Sequence, residues 1–168
     1  MGDAIYHRFI SLLRDETETA LLARRTAPLL RTGDLIVLSG ELGAGKTFFV
    51  RELAYARGLP TWERVTSPTF SLVHEIELSV PLFHADLYRL ADPEEVVELG
   101  LDTERDRGIV LAEWAAPFAD ELGGDPIVFE FFVDPRSVTV HGPAQRAQAI
   151  VQQLMAGRGQ GPSWEENQ

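Results

Sequence analysis

A single lysine occurs in this chain of 168 residues, and it stands in the run Gly40-Glu41-Leu42-Gly43-Ala44-Gly45-Lys46-Thr47. The run fits G-x-x-x-x-G-K-[ST], the pattern of a phosphate-binding loop, or P-loop. Its chemistry is that of a polyphosphate cradle. Glycines let the backbone wrap round a phosphate with its N–H groups turned inward. A helix that follows directly adds free N–H groups and the positive end of its dipole. Lys46 can reach the β- and γ-phosphates, and the Thr47 hydroxyl can ligate Mg²⁺. The rest of the Lys/Arg complement is arginine. A compact ammonium fits between phosphate oxygens where a planar guanidinium fork is bulky. Glu41 to Thr47 are therefore the nucleotide-binding candidates.

A nucleoside triphosphatase also needs an acid for the metal and a group that orients the attacking water. A carboxylate at the C-terminal end of a neighbouring strand is the usual source. Two residues fit: Glu113 ends the apolar run Ile109-Val110-Leu111-Ala112, and Asp86 follows Leu82-Phe83-His84-Ala85. Thr66-Ser67-Pro68-Thr69 is a hydroxyl-rich loop of the kind that orders round γ-phosphate and Mg²⁺. His74, His84 and Trp114 are isolated and read as structural residues. Arg51 and Arg89 read as solvated surface cations. The guanine-reading motif N-K-x-D is excluded, because the lone lysine is Lys46 and the lone asparagine is Asn167. ATP is thus the expected nucleotide.

These groups need elements to hold them. Leu35–Ser39 reads as a buried strand before the loop, and Phe48–Arg57 as a helix closed by Gly58 and Pro60. Upstream, Ile5–Ser11 reads as a strand. A helix opens at Asp15-Glu16-Thr17-Glu18 and runs to about Leu30. Downstream, Phe70–Leu78 alternates at period two and forms a hairpin with Pro81–Ala85. Asp92-Pro93-Glu94-Glu95 starts a short helix that ends near Gly100. Gly108–Trp114 reads as a buried strand. Pro126–Val133 and Ser137–His141 make a closing hairpin across Asp134-Pro135-Arg136, and a last helix spans Ala144–Met155. The expected fold is α/β, a P-loop NTPase fold with a single mixed sheet flanked by helices. Residues 1–157 form one domain, and the polar, glycine-rich residues 158–168 read as a disordered tail.

Composition narrows the function classes. Hydrophobic residues make up 45 % of the chain, and the mean hydropathy is −0.06, as in a soluble globular domain. No apolar run approaches a membrane span, and no secretory signal is expected. Met1-Gly2 fails the myristoylation pattern at Tyr6. The absence of cysteine removes thiol chemistry. The cytoplasm is the expected compartment. A net charge of −11 makes the chain unsuited to gripping nucleic-acid phosphates unaided.

Four segments carry a resemblance in order and spacing: the P-loop, Ser67-Pro68-Thr69-Phe70-Ser71-Leu72-Val73, His84-Ala85-Asp86-Leu87-Tyr88-Arg89-Leu90-Ala91-Asp92-Pro93-Glu94-Glu95, and Glu113-Trp114. Together they closely resemble the TsaE (YjeE) family, bacterial ATPases of tRNA threonylcarbamoyladenosine synthesis. The resemblance spans most of residues 5–155. It implies ATP at the loop, Mg²⁺ held by Thr47 and Glu113, and catalysis by Lys46, Asp86 and Glu113. It puts Ser67-Pro68-Thr69 and Asp86 in the nucleotide-sensitive region, Trp114 beside the site and Arg136 near the base. It also implies work with the TsaD and TsaB proteins, which perform the transfer to the adenosine next to the anticodon, so that tRNA is met only through that complex. A small-molecule P-loop kinase is the alternative, although no arginine-rich lid segment is present. A non-enzymatic, nucleotide-dependent docking module is a third reading.

Overall fold

The computed structural model describes residues 6–157. Seven strands and five α-helices follow in chain order: β1 (Phe9–Leu12), α1 (Glu16–Thr26), β2 (Leu35–Gly40), α2 (Lys46–Ala56), β3 (Val73–Ile76), β4 (Leu82–Asp86), α3 (Pro93–Glu98), α4 (Leu101–Glu104), β5 (Ile109–Glu113), β6 (Ile127–Val133), β7 (Arg136–His141) and α5 (Gln145–Ala156). The strands form one sheet in the order β1-β7-β6-β2-β5-β4-β3. Its centre, β6-β2-β5-β4, is parallel, and the flanking pairs are antiparallel. The expected mixed sheet is therefore present, and the fold is the α/β fold of P-loop NTPases.

Both faces of the central strands are buried, which is why β2 and β5 open as apolar runs, and β4 is buried at every position. Alternation still divides them. Ile36, Leu38, Ile109 and Leu111 face the side covered by α1, α2 and α5, whereas Leu35, Val37, Val110 and Ala112 face the side covered by α3 and α4. Phe49 of α2 packs on Phe129 and Phe131 of β6, with ring centroids 5.0 and 5.6 Å away. Arg146 of α5 grips the buried Asp34 through two hydrogen bonds of 2.7 Å, pinning α5 to the entrance of β2.

Several boundaries differ from the sequence reading. Strand β1 begins at Phe9; Ile5 lies outside the described residues, as does the expected tail. Helix α1 gives way to a 3₁₀ turn at Ala27–Leu29, where Pro28 cannot continue the ladder. Helix α2 takes Lys46 and Thr47 into its first turn instead of starting at Phe48. The strand expected over Phe70–Leu78 shrinks to Val73–Ile76. Leu72 has a φ of 65° and its N–H donates to Pro68 O at 2.7 Å, which closes a turn. Helix α4 was masked in the sequence by Gly100, which takes a left-handed conformation and breaks one helical stretch into two. Among the described residues no helix is long and apolar enough to cross a membrane.

Candidate nucleotide site

The loop between β2 and α2 is built by its glycines. Gly40 leaves β2 at a φ of +132°, and a Cβ there would stand 2.3 Å from Phe131 O, so only glycine fits. Gly45 caps α2 in the left-handed region at a φ of 104°. Lys46, 4 % exposed, donates from Nζ to Gly40 O at 2.6 Å and Glu41 O at 2.9 Å. Its Nζ also lies 4.3 Å from the centroid of the Trp114 ring. Burial pushes the Lys46 ammonium below its ordinary pKa, against the opposing pull of Glu113 and then Asp86.

Register brings the acids to this loop. In the parallel ladders Glu113 pairs with Leu38 on one side and Asp86 on the other, so the ends of β2, β5 and β4 stand abreast. Thr47 Oγ1 donates to Glu113 Oε1 at 2.7 Å. Asp86 is held from two directions: Ser67 Oγ donates to Oδ2, and Tyr88 N donates to Oδ1 at 3.0 Å. Thr69 Oγ1 lies 3.5 Å from Ser67 Oγ, so the hydroxyl loop closes over Asp86. Trp114, at a φ of 58°, turns the chain away from β5 and packs edge-on against Tyr88 at 5.0 Å.

A cavity of about 810 Å³ opens over these groups, lined by Lys46, Thr47, Ser67, Asp86, Glu113 and Arg136 among others. Arg136 reaches it from the start of β7, with Nη1 3.9 Å from the position of a Cβ on Gly45. Leu42 and Gly43 also line it, while Glu41 is exposed and outside the lining and Ala44 is buried. Arg51 stacks on the lining residue Phe48 at 4.5 Å and Arg89 on exposed Phe70 at 4.7 Å, and neither arginine lines the cavity itself.

The donor set facing the cavity is oxygen: a hydroxyl from Thr47 and a carboxylate from Glu113. That is a fit for Mg²⁺, which takes one or two protein ligands beside phosphate and water. A self-sufficient cage of three or more His, Asp or Glu side chains is absent among the described residues.

His84 was read from the sequence as an isolated structural residue. It is fully buried, as a structural histidine would be, but its Nε2 lies 2.8 Å from Glu113 Oε1. A signal was available: His84 lies two positions before Asp86 on a strand, hence on the same face. Asp15, Glu16 and Thr19 of the α1 start were likewise unforeseen at the cavity mouth.

A protein-family model described as threonylcarbamoyl adenosine biosynthesis protein TsaE matches residues 13–137. Proteins named tRNA threonylcarbamoyladenosine biosynthesis protein TsaE are similar over most of the chain. That of Streptomyces coelicolor is 39 % identical over 147 residues, covering 81 % of this chain and 98 % of its own. That of Bacillus subtilis is 34 % identical over 142 residues, covering 82 % and 87 %. That of Rickettsia conorii is 43 % identical over 105 residues, covering 61 % and 59 %, so the chain spans about three fifths of that relative's length. The crystal structure of Bacillus subtilis YdiB superposes with a TM-score of 0.76 at 26 % identity, covering 92 % of this chain and 98 % of that one. The matched span contains Lys46, Thr47, Asp86 and Glu113 together with the strands that bring them abreast, and the chain belongs to the TsaE family.

Proposed function

We propose that this protein is a Mg²⁺-dependent ATPase that works with the TsaD and TsaB proteins in forming the threonylcarbamoyl modification on the adenosine next to the anticodon of tRNAs. The observation that carries the reading is the convergence of Lys46, Thr47, Asp86 and Glu113 on one cavity at the C-terminal ends of adjacent parallel strands. The pathway is the one named for the relatives.

In this reading the backbone of Glu41 to Thr47 cradles the phosphates. The Lys46 ammonium, now on two loop carbonyls, exchanges them for phosphate oxygens. Thr47 Oγ1 and the Glu113 carboxylate hold Mg²⁺, which when bound neutralises phosphate charge. Asp86, aimed by Ser67 and Tyr88, accepts a hydrogen bond from the attacking water and orients it. Ser67 and Thr69 couple the state of the γ-phosphate to the shape of their loop. Arg136 adds positive charge to the cavity beside Gly45.

A net charge of −11 makes the isolated chain a weak tRNA binder. The tRNA is then carried by the TsaD–TsaB complex, on which this chain docks in a nucleotide-dependent way. The cytoplasm, where tRNA and ATP meet, is the compartment the reading requires. The test is ATP hydrolysis and tRNA binding at physiological salt, with and without that complex. Slow hydrolysis alone that rises with the complex, with weak tRNA binding by the chain itself, is expected. Tight tRNA binding by the isolated chain, or hydrolysis indifferent to the complex, overturns the reading. ADP release that depends on a small acceptor identifies a kinase instead.

A further inference from the structure

His84 is an uneconomical residue for a purely structural position. Its β4 neighbours Leu82, Phe83 and Ala85 are buried apolar side chains, and its own exposure is 0 %. Glu113 Oε1 is a carboxylate acceptor, so the ring nitrogen facing it at 2.8 Å carries the proton. The other ring nitrogen is Nδ1. That atom is buried and has no hydrogen-bond partner among the described residues. A buried polar atom without a partner is costly, and an apolar side chain on this strand would avoid the cost. What the histidine supplies, and an apolar side chain cannot, is the Nε2–H bond to Glu113.

The bond has a defined consequence. Glu113 Oε1 accepts from two donors, Thr47 Oγ1 at 2.7 Å and His84 Nε2 at 2.8 Å. Thr47 approaches from α2 and His84 from β4, the strand beside β5. The carboxylate is clamped between two elements, and its orientation is set before any metal arrives. The ring of His84 also lines a second cavity, of about 390 Å³, beside Val65 and His74.

We infer that His84 is a positioning residue for the metal site: its Nε2–H fixes the Glu113 carboxylate for Mg²⁺, and so sets the Mg²⁺ requirement of nucleotide binding. The inference rests on the reading that Glu113 holds the metal. Partners that hydrogen-bond a ligating side chain in this way commonly govern metal affinity by about 10–100-fold.

The test is binding of a fluorescent ATP analogue to the full chain, titrated with Mg²⁺ and repeated in EDTA. His84→Leu removes the donor and His84→Asn keeps an amide too short to reach. His84→Gln carries an N–H close to the position of Nε2. Leu and Asn variants are expected to need at least about tenfold more Mg²⁺ for half-maximal binding, with Mg²⁺-free binding unchanged. The Gln variant is expected to restore the wild-type requirement. If the Leu variant fails to fold by circular dichroism, the Asn and Gln pair carries the test. A folded Asn variant with a wild-type Mg²⁺ requirement overturns the inference, as does a Gln variant no better than Asn. Glu113→Gln separates the two levels. If it abolishes the Mg²⁺ effect while His84→Asn does not, only the positioning role of His84 falls. If it leaves the Mg²⁺ effect intact, the metal reading falls and the positioning role with it.

Discussion

Thr47 and Glu113 lie 66 positions apart in the chain and are joined by a 2.7 Å hydrogen bond from Oγ1 to Oε1. The bond links the first turn of α2 to the last residue of β5, and it brings together the two oxygen ligands proposed for Mg²⁺. Removing either partner removes a ligand directly. Thr47→Ala and Glu113→Ala are each expected to weaken Mg²⁺-dependent ATP binding by at least about 10–100-fold, the loss seen when only the outer support of a ligand is removed. Binding in EDTA is expected to change far less. Calorimetry with and without Mg²⁺ measures both; an equal loss in the two conditions contradicts the ligand roles.

Lys46 Nζ is held by two loop carbonyls and lies over the Trp114 ring, a site fitted to a compact ammonium. Lys46→Arg keeps the charge and is still expected to lose roughly 10²–10³-fold in hydrolysis, the scale of removing one preorganised transition-state contact. If ATP binds as proposed, it is expected to raise the melting temperature of the wild type by mass action, and this rise is expected to vanish in Lys46→Ala. Wild-type turnover in Lys46→Arg would remove the significance of the solitary lysine.

Asp86 is assigned to the chemistry and not to the metal, since its two oxygens are engaged by Ser67 and Tyr88 while Glu113 faces Thr47. Asp86→Asn is expected to leave nucleotide affinity nearly unchanged and to lower turnover by roughly 10²–10⁴-fold. Ser67→Ala frees one carboxylate oxygen and is expected to lower turnover less than Asp86→Asn does. Single-turnover hydrolysis at saturating nucleotide separates the two effects. A loss of affinity in Asp86→Asn as large as in Glu113→Ala means that both acids hold the metal.

Gly40 tests the architecture independently of activity. An alanine there combines an unfavourable positive φ with a Cβ driven into the Phe131 carbonyl, the backbone of the neighbouring strand β6. Strain and overpacking together amount to about 3 kcal/mol or more, a fall in melting temperature of roughly 6–12 °C for a domain of this size. Gly43→Ala meets nothing within 4 Å and carries only the strain of its positive φ, so it is expected to cost less. Differential scanning calorimetry of the two variants without nucleotide reads the difference; equal melting temperatures contradict the close approach of β2 and β6.

Much of the site was legible in the residue order because its parts are local. The P-loop is one contiguous run, and its flanking strand and helix announce themselves through apolar clustering and a glycine stop. Asp86 and Glu113 were recoverable because each ends a short apolar strand, and parallel strands deliver their C-terminal ends to one edge of the sheet. The short helix after Asp92 was legible for the same reason, as cap, proline and acids sit in successive positions. Pairwise geometry was not legible. Which strand lies beside which is decided by long-range packing, so only the fold sets Asp86 beside Glu113 and Glu113 beside Leu38. The turn at Leu72 depends on contacts of the Ser67 loop with β4, which no local period encodes. His84 is the clearest case. By residue type it was an isolated histidine in a buried strand, and it becomes a partner of Glu113 because parallel pairing of β4 with β5 carries its Nε2 there, 29 positions away in the chain. The sequence alone determined the chemistry available to this protein, since that depends on side-chain type and local spacing. The tertiary structure decided which groups act together, because hydrogen bonds form over a few ångströms in space whatever their separation along the chain.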